Sequence, residues 1–222
     1  MKVVAFVPVK LNNERLPGKN TKVFEDGTPL ISLILNTLLH VRNVDEIYVY
    51  CSDDSIVEYL PLGVKYKKRS VELDRSETKI NEVLQSFAND IPADIYVLAH
   101  ATAPFISPSS IAYGVEQVVS GKYDSALTVH KMQEFIWKDG KPLNYDLAAV
   151  PRTQDLAPLY IETTGLYIYT HELITSRNVR VGDRPSLIEV SKIESVDINE
   201  PIDFEIANAL YVSVISKAVK HV

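Results

Sequence analysis

The chain is poor in cysteine, and this scarcity narrows its chemistry. Cys51 is the only cysteine among 222 residues, so no intrachain disulfide and no CxxC motif can exist. It ends an apolar run and is expected to be a core residue instead of a reactive thiolate. The cysteine content is consistent with a reducing, cytoplasmic compartment.

Long apolar runs and an excess of basic charge are also missing. No apolar stretch reaches membrane-spanning length, and Met1-Lys2 leads directly into a predicted strand without a signal-peptide pattern. The formal net charge is −6, and the aromatic residues are not clustered with basic ones, which argues against nucleic-acid binding. We therefore expect a cytoplasmic protein that binds neither membranes nor nucleic acid.

Motifs of several large enzyme classes are absent as well. The sequence contains no GxxxxGK[ST] phosphate loop, no GxGxxG fingerprint, no GxSxG nucleophile elbow and no HExxH zinc motif. A nucleotide site in this chain must therefore be built in another way.

The most informative segment lies at the start of the chain. Val3–Val9 is an almost unbroken apolar run, typical of a strand buried on both faces, and it ends in the polar loop LNNERLPGKN. This loop carries Lys10, Arg15 and Lys19, and Pro17-Gly18 permits a tight turn. Cations and free amides after a central strand suit an anion, above all a polyphosphate. A solvated loop with incidental cations is the alternative interpretation.

The rest of the chain alternates between strand and helix patterns, which indicates an α/β fold with a mainly parallel sheet and helices on both faces. Strands are predicted at Glu46–Cys51, Val64–Lys67, Ile95–Ala99, Ser125–Val129, Leu166–Thr170, Leu187–Val190 and Ser195–Ile198. Helices are predicted to begin at Pro29, Ser55, Ser76 (as the cap), Pro108 and Pro201, the last one reaching Val219.

The alternation lapses between about residues 131 and 165. Asp139-Gly140 predicts a hairpin there, and the segment that follows is irregular. We interpret this part as a small β-rich excursion within one domain that covers residues 1–222.

A second polar cluster, SVDINEPIDF, lies near the end of the chain. Asp197 is predicted at the end of a strand, where it gains nothing from helix capping, and opposite a phosphate site it would suit Mg²⁺. Asp203 falls in the first turn of a helix, where an acid is favourable without any other role. A metal site and a purely structural role are both open on these grounds.

The first loop resembles the signature of the acylneuraminate cytidylyltransferase family, (I/V)PAR-x-x-S-x-(R/G)-(I/L)-P-x-KN. The residues in register are Pro8, Leu16-Pro17 and Lys19-Asn20. Lys10 stands where the family has arginine, which keeps the charge but loses the bidentate fork. Asn13-Glu14 replaces a small residue followed by lysine.

Other segments resemble the same family in the same order. The second cluster is similar to (S/A)IDIDxxxDFxxAE, where the first two acids hold the catalytic metal. Asp197 matches the first acid, and Asn199 replaces the second, so one negative charge is missing and the number of metal ions is open.

HATAPF resembles the QPTSP segment near the base and sugar, which places His100, Thr102 and Ala103 at the nucleotide. A buried structural histidine is the alternative. Arg69 and Ser76 lie in a stretch similar to RPxELAxDxT, whose arginine contacts the nucleotide, although an exposed, salt-bridged arginine would also fit.

The stretch that contains Arg152, Gln154, Thr163 and Thr164 resembles RxQDxPxxYxExxGxxY, which contributes to the sugar-acid pocket and often to a dimer contact.

The resemblance implies a three-layer α/β/α, Rossmann-like fold of the nucleotide-diphospho-sugar transferase kind. It implies transfer of CMP from CTP to the anomeric hydroxyl of a 2-keto-3-deoxy sugar acid, a sialic acid-like nonulosonate, for surface glycan biosynthesis, with Mg²⁺ as cofactor and a homodimer as assembly. The implied roles are: catalysis by Lys19, Arg15 and Asp197; nucleotide binding by Lys10, Asn20, Arg69, Ser76, His100, Thr102 and Ala103; sugar-acid binding by Arg152, Gln154, Thr163 and Thr164; and metal binding by Asp197 and Asn199.

Two alternatives stay open. One is a nucleotidyltransferase of the same fold that uses another acceptor or base. The other is a nucleotide-binding homologue without catalysis, which the departures at Lys10, Glu14 and Asn199 favour. The sequence does not choose among sialic, legionaminic, pseudaminic and octulosonic acids.

Overall fold

A computed structural model describes residues 1–215 as a central sheet with helices on both faces. The strands are β1 (Val3–Val9), β2 (Glu46–Cys51), β3 (Val64–Lys68), β4 (Ile95–Ala99), β5 (Ser125–Met132), β6 (Trp137–Lys138), β7 (Lys141–Pro142), β8 (Leu159–Thr170) and β9 (Pro185–Glu189). The α-helices are α1 (Leu30–Leu39), α2 (Ile80–Asp90), α3 (Pro108–Val119), α4 (His171–Ser176) and α5 (Pro201–Leu210).

Within residues 1–215 the central sheet has seven strands in the order β3-β2-β1-β4-β8-β5-β9. Neighbouring strands are parallel except around β8, which runs antiparallel to both β4 and β5. The predicted mainly parallel sheet is therefore confirmed. The predicted hairpin at Asp139-Gly140 is also confirmed, because β6 and β7 pair on either side of it.

Alternate residues of β1 face two different cores. The odd-numbered residues from Val3 to Val9 pack against α1 and α3, whereas Val4 and Phe6 pack against α2 and α4. Both faces of the strand are covered, which is why its sequence is apolar throughout. The predicted three-layer α/β/α architecture is confirmed. Cys51 is buried in the first of these cores, as predicted, and burial raises the pKa of its thiol.

Two local predictions are wrong. Ser195–Ile198 is not a strand, because the Ile198 N–H donates to the carbonyl of Thr102 (2.9 Å) in a loop outside the sheet. Ser76 does not cap α2, which begins four residues later at Ile80, and its hydroxyl instead donates to Glu77.

The predicted closing helix is shorter as an α-helix than expected. It is α-helical to Leu210 and continues as a π-helical turn over Tyr211–Ile215. The predicted remainder, up to Val219, lies outside the described residues.

The sheet order sets the position of the site. From β1 the chain passes to β2 and β3 on one side, and then crosses back to β4 on the other side of β1. In open α/β sheets, ligands bind outside the carboxyl ends of the strands at such a switch point. The loops that follow β1 and β4 therefore define the candidate site. In the described part of the chain, no helix has the length and apolar character needed to cross a membrane.

Candidate active site

A tight turn shapes the basic loop after β1. The Lys19 N–H donates to the carbonyl of Leu16 (3.1 Å), and Gly18 between them has a φ of 67°, a value that favours glycine. Asn20 is buried, and its side-chain amide donates to the carbonyl of Lys10 (2.9 Å). The predicted ligand residue Asn20 thus braces the loop from within.

The end of this loop meets the cluster near the end of the chain. Lys19 Nζ donates to the carbonyl oxygen of Ile198 (3.0 Å), although 179 residues separate the two in sequence. Burial lowers the pKa of Lys19, and the negative charge of Asp197 partly offsets this effect. Arg15 Nη2 donates to Asn199 Oδ1 (3.3 Å). The predicted catalytic residues Arg15, Lys19 and Asp197 are therefore neighbours.

The Asp197 carboxylate is held by two polar side chains. Its Oδ2 accepts a hydrogen bond from Asn199 Nδ2 (2.6 Å) and a longer one from Thr164 Oγ1 (3.4 Å). Thr164 has a φ of 57°, in the left-handed region that non-glycine residues rarely adopt. Thr164, which the resemblance places at the sugar acid, thus lies at the centre of the site.

The orientation of Asn199 bears on its predicted metal role. The amide nitrogen faces Asp197 and the carbonyl oxygen faces Arg15, so the oxygen that would coordinate Mg²⁺ points to a cation. Within residues 1–215 no group of three or more histidine, cysteine, aspartate or glutamate side chains could hold a metal. A single carboxylate still fits Mg²⁺, which is held at nucleotide sites by one or two carboxylates together with phosphate oxygens.

Asp203 serves the helix. Its carboxylate accepts hydrogen bonds from the backbone N–H groups of Asn199 (2.9 Å) and Glu200 (2.7 Å), and these lower its pKa. The structural interpretation of this residue is confirmed, because its carboxylate caps α5.

Two adjoining cavities lie at the carboxyl ends of β1 and β4. One, of about 270 Å³, is lined among others by Lys10, Arg69, Ser76 and His100. The second, of about 280 Å³, shares Lys10 and Ser76 with the first and extends along the basic loop to Lys19. Residues predicted to bind the nucleotide thus line one continuous region.

Arg69 is buried and paired. Its Nη2 donates to Asp74 Oδ1 (2.5 Å), which orients the guanidinium, while Nε is shielded from solvent and has no partner within residues 1–215. The alternative interpretation of an exposed arginine is wrong, because Arg69 is buried. Its salt bridge, however, is present, with Asp74 as the partner. A buried donor without a partner is costly, so a ligand in the cavity would stabilise it.

His100 lines the same cavity and has a second shielded, unpaired nitrogen. Its backbone N–H donates to the carbonyl of Gly165 (3.0 Å), and its ring Nε2 is fully shielded with no partner among the described residues. Burial, and next the positive charge of Arg180, lower its pKa to about 4. The ring is therefore neutral near pH 7 and can exchange a hydrogen bond with a ligand.

Two residues predicted to contact the ligands have buried side chains, and their contact with a ligand stays a prediction. Ala103 is buried and its methyl group lies against Gly165, so its side chain faces the core instead of the cavity. Thr163 is buried as well, and its hydroxyl donates to Thr128 Oγ1 (2.7 Å) inside the sheet. Both side chains are structural. Thr102 contributes its backbone carbonyl, which fixes the position of Ile198.

The structure does not bring Arg152 and Gln154 to this centre. Arg152 is exposed and pairs with Asp155 (2.8 Å), and the carbonyl of Gln154 accepts a hydrogen bond from Gln133. Within residues 1–215, neither forms a hydrogen bond or ion pair with the cluster around Asp197. Their contact with a sugar acid stays a prediction.

Sequence reasoning missed Arg180. Its guanidinium lies 3.7 Å from the centre of the Tyr167 ring and 3.6 Å from Glu162 Oε1, and its charge reaches His100. It follows α4 in a loop that matches no motif. Only the fold of β8 brings this loop to the site, so the sequence held no signal for it.

Comparison with known proteins defines the class. A sequence model of the cytidylyltransferase family matches residues 4–212, and the chain belongs to this family. It is 27% identical over 216 residues to the N-acylneuraminate cytidylyltransferase of Oncorhynchus mykiss, which covers 92% of this chain and 49% of that protein. The chain thus spans about half the length of this relative.

Two other proteins match over nearly their full length. The CMP-N,N'-diacetyllegionaminic acid synthase of Legionella pneumophila is 27% identical over 229 residues, covering 95% of this chain and 96% of that one. The solved structure of CMP:2-keto-3-deoxy-manno-octonic acid synthetase complexed with CTP has a TM-score of 0.72 at 17% identity, covering 96% and 99%. This solved structure confirms the predicted fold. The relatives from Oncorhynchus mykiss and Legionella pneumophila support the predicted family.

The buried ring of His100 predicts a pH dependence of stability. Between about pH 4 and 6.5 the unfolded chain binds a proton at His100 that the folded chain does not, so stability rises with pH in this window. Because of this residue, the free energy of unfolding should be about 2 kcal/mol lower at pH 5 than at pH 7.5. Urea denaturation of the native chain and of His100→Gln at both pH values checks this. An equal pH response in both proteins would contradict it.

Proposed function

We propose that this protein transfers CMP from CTP to the anomeric hydroxyl of a 2-keto-3-deoxy sugar acid of the sialic acid-like kind, releases pyrophosphate, and serves surface glycan biosynthesis. The observation that carries the proposal is that Lys19, which lines the second cavity, contacts Ile198 beside the Asp197 carboxylate. The names of the related proteins support a sugar acid as acceptor, since they refer to N-acylneuraminate, legionaminic acid and octonic acid.

The cationic loop would hold the triphosphate. Lys10, Arg15 and Lys19 line one cavity, and each offers donors to phosphate oxygens. The attacking hydroxyl oxygen forms a bond to the α-phosphorus and loses its proton. The bond from this phosphorus to the bridging oxygen breaks, and pyrophosphate leaves with the electron pair. Such a reaction depends mostly on positioning and charge neutralisation, which this loop supplies.

Asp197 would hold Mg²⁺ together with phosphate oxygens, and the bound ion would offset charge that develops on the transferred group. Asn199 keeps the carboxylate in place by donating its amide N–H to Oδ2. With its carbonyl directed at Arg15, Asn199 acts here as a support of the carboxylate.

Cytidine would occupy the cavity beside Arg69 and His100. Both residues line this cavity, and each also has a shielded, unpaired nitrogen, Nε of Arg69 and Nε2 of His100. A small movement of either side chain would let polar groups of a base or ribose reach these atoms. Because the His100 ring is neutral, it can donate or accept without adding charge to the site.

We also propose a homodimer, formed through the excursion, and a cytoplasmic location. The excursion exposes several large apolar side chains, and apolar surface of this kind is typical of a contact site. These side chains are Trp137, Leu143, Leu147, Val150 and Ile161. The single, buried cysteine suits a reducing compartment.

The proposed reaction is tested by pyrophosphate release. With CTP and Mg²⁺ we expect release in the presence of at least one of sialic, legionaminic, pseudaminic or octulosonic acid, and none without an acid. Turnover only with another nucleotide, or only with an acceptor that lacks a carboxylate, would support another nucleotidyltransferase. CTP binding in calorimetry without any turnover would support the noncatalytic alternative.

The metal role of Asp197 is tested by substitution. Asp197→Ala should lose activity by orders of magnitude together with its dependence on Mg²⁺, because the carboxylate that would hold the ion is gone. Asp203→Asn is the matched control, since an amide oxygen can still cap α5, and it should keep the Mg²⁺ response. Full activity of Asp197→Ala at ordinary Mg²⁺ concentrations would reject the role.

The proposed dimer is tested by sedimentation. The native chain should sediment as a dimer at micromolar concentration, and the pair of substitutions Leu147→Glu and Val150→Glu should yield a monomer. Leu62→Glu places the same charge on a fully exposed leucine outside the excursion and should leave the dimer intact. A native monomer, or a dimer that survives the paired substitutions, would count against this interface.

A further inference from the structure

Arg180 is held in place although it belongs to a loop. The guanidinium stacks on the ring of Tyr167 at 3.7 Å from its centre, and Nη2 lies 3.6 Å from Glu162 Oε1. The hydroxyl of Tyr167 donates to the same Glu162 oxygen. The residue that stacks on Arg180 therefore also positions the residue that pairs with it. The side chain is 22% exposed, which leaves part of it open to a ligand.

The loop that carries Arg180 packs against α2, the helix that lines the cavity of His100. Val179 and Val181, on either side of Arg180, pack on the core beneath α2. One residue earlier, the carbonyl of Asn178 accepts a hydrogen bond from Asn81, in the first turn of α2 (2.6 Å). Ile80 and Val83 of that helix line the cavity, so the helix connects the loop to the cavity wall.

The part of β8 from Glu162 to Tyr167 connects Arg180 with the rest of the site. Thr164 contacts the Asp197 carboxylate, Gly165 accepts the His100 N–H, and Tyr167 supports Arg180. Gly165 faces the core covered by α1 and α3, since a β-carbon there would meet Ala103 and Ile106, whereas Tyr167 faces the core covered by α2 and α4. Arg180 therefore lies on the β8 side of His100, whereas the cationic loop lies on the β1 side.

The donors of Arg180 are available. Among the described residues its side chain forms the ion pair with Glu162 but no hydrogen bond, because 3.6 Å is too long for one. A guanidinium offers a planar fork that matches a carboxylate in two parallel hydrogen bonds. We propose that Arg180 binds the carboxylate of the acceptor sugar acid, a role that rests on the proposed function and names the residue that selects its acceptor.

A phosphate of CTP is the other oxyanion within this chemistry. It is already served by Lys10, Arg15 and Lys19, which line a common cavity to which Arg180 does not contribute within residues 1–215. Arg152, which the family resemblance places at the sugar acid, is exposed and paired with Asp155. Arg180 is thus better placed than Arg152 to hold a carboxylate next to Asp197 in this chain.

The test compares two protein forms with two acceptors. The acceptors are the acid with the highest kcat/KM in the pyrophosphate assay and its 1-carboxamide, which lacks the negative charge. In the native chain the amide should be the poorer acceptor by about tenfold to a hundredfold. In Arg180→Gln the KM for the acid should rise by a similar factor and the preference for the acid should vanish, while the KM for CTP stays unchanged.

Two control variants separate this role from packing. Arg180→Lys keeps the charge and should recover part of the preference for the acid. Arg177→Gln removes a positive charge three residues away, where the side chain pairs with Asp183 (3.1 Å), and should behave as the native chain does. Thermal unfolding of each variant reports whether the fold is kept.

Each result decides the matter. An acid preference that persists in Arg180→Gln overturns the proposal while the proposed function stands, and a raised KM for CTP alone assigns the residue to the nucleotide phosphates instead. If no acid supports pyrophosphate release from the native chain, the proposed function fails and the assignment of Arg180 fails with it.

Discussion

The site depends on one hydrogen bond between distant parts of the chain, from Lys19 Nζ to the carbonyl of Ile198. This bond is supported by apolar packing, since Leu16 and Ile198 are buried in the same cluster, together with Phe204 of α5. The apolar anchors fix the two loops, and the polar groups at their tips then meet without further ordering cost. Burial lowers the pKa of the Lys19 ammonium group, and the nearby Asp197 carboxylate partly offsets this effect.

The chain concentrates opposite charges locally although its net charge is −6. Cations of the first loop face the carboxylates of Asp197 and Glu200, the latter 3.6 Å from Arg15. Asn199, next to Asp197, adds a dipole where an acid would add a further charge. In the proposed function this arrangement would leave more positive potential for a triphosphate and would hold a metal ion less strongly. Asn199 links both sides, since it donates to the carboxylate and accepts from Arg15.

Local patterns predicted the elements well, and non-local contacts explain the failures. β1 follows from its apolar run, and α3 follows from Pro108 at its start. Residues 195–198 show a strand-like alternation, yet the N–H groups of Ser195 and Val196 donate within local turns, and that of Ile198 donates to the loop after β4. Thr163 matched a motif, but strand periodicity turns its hydroxyl into the sheet. No sequence motif pointed to Arg180, because its contacts with Tyr167 form only in the folded sheet.

The antiparallel placement of β8 is what brings the site together. Its register sets Leu166 opposite Ala99, so the early half of the strand lies at the carboxyl end of β4, where a parallel neighbour would present its late half. A β-carbon at Gly165 would lie 2.5 Å from that of Ala103, and neither atom could move without its backbone. Glycine at this position therefore permits the close approach of the two segments, and with it the hydrogen bond that fixes His100 at the wall of the cavity that Arg69 also lines.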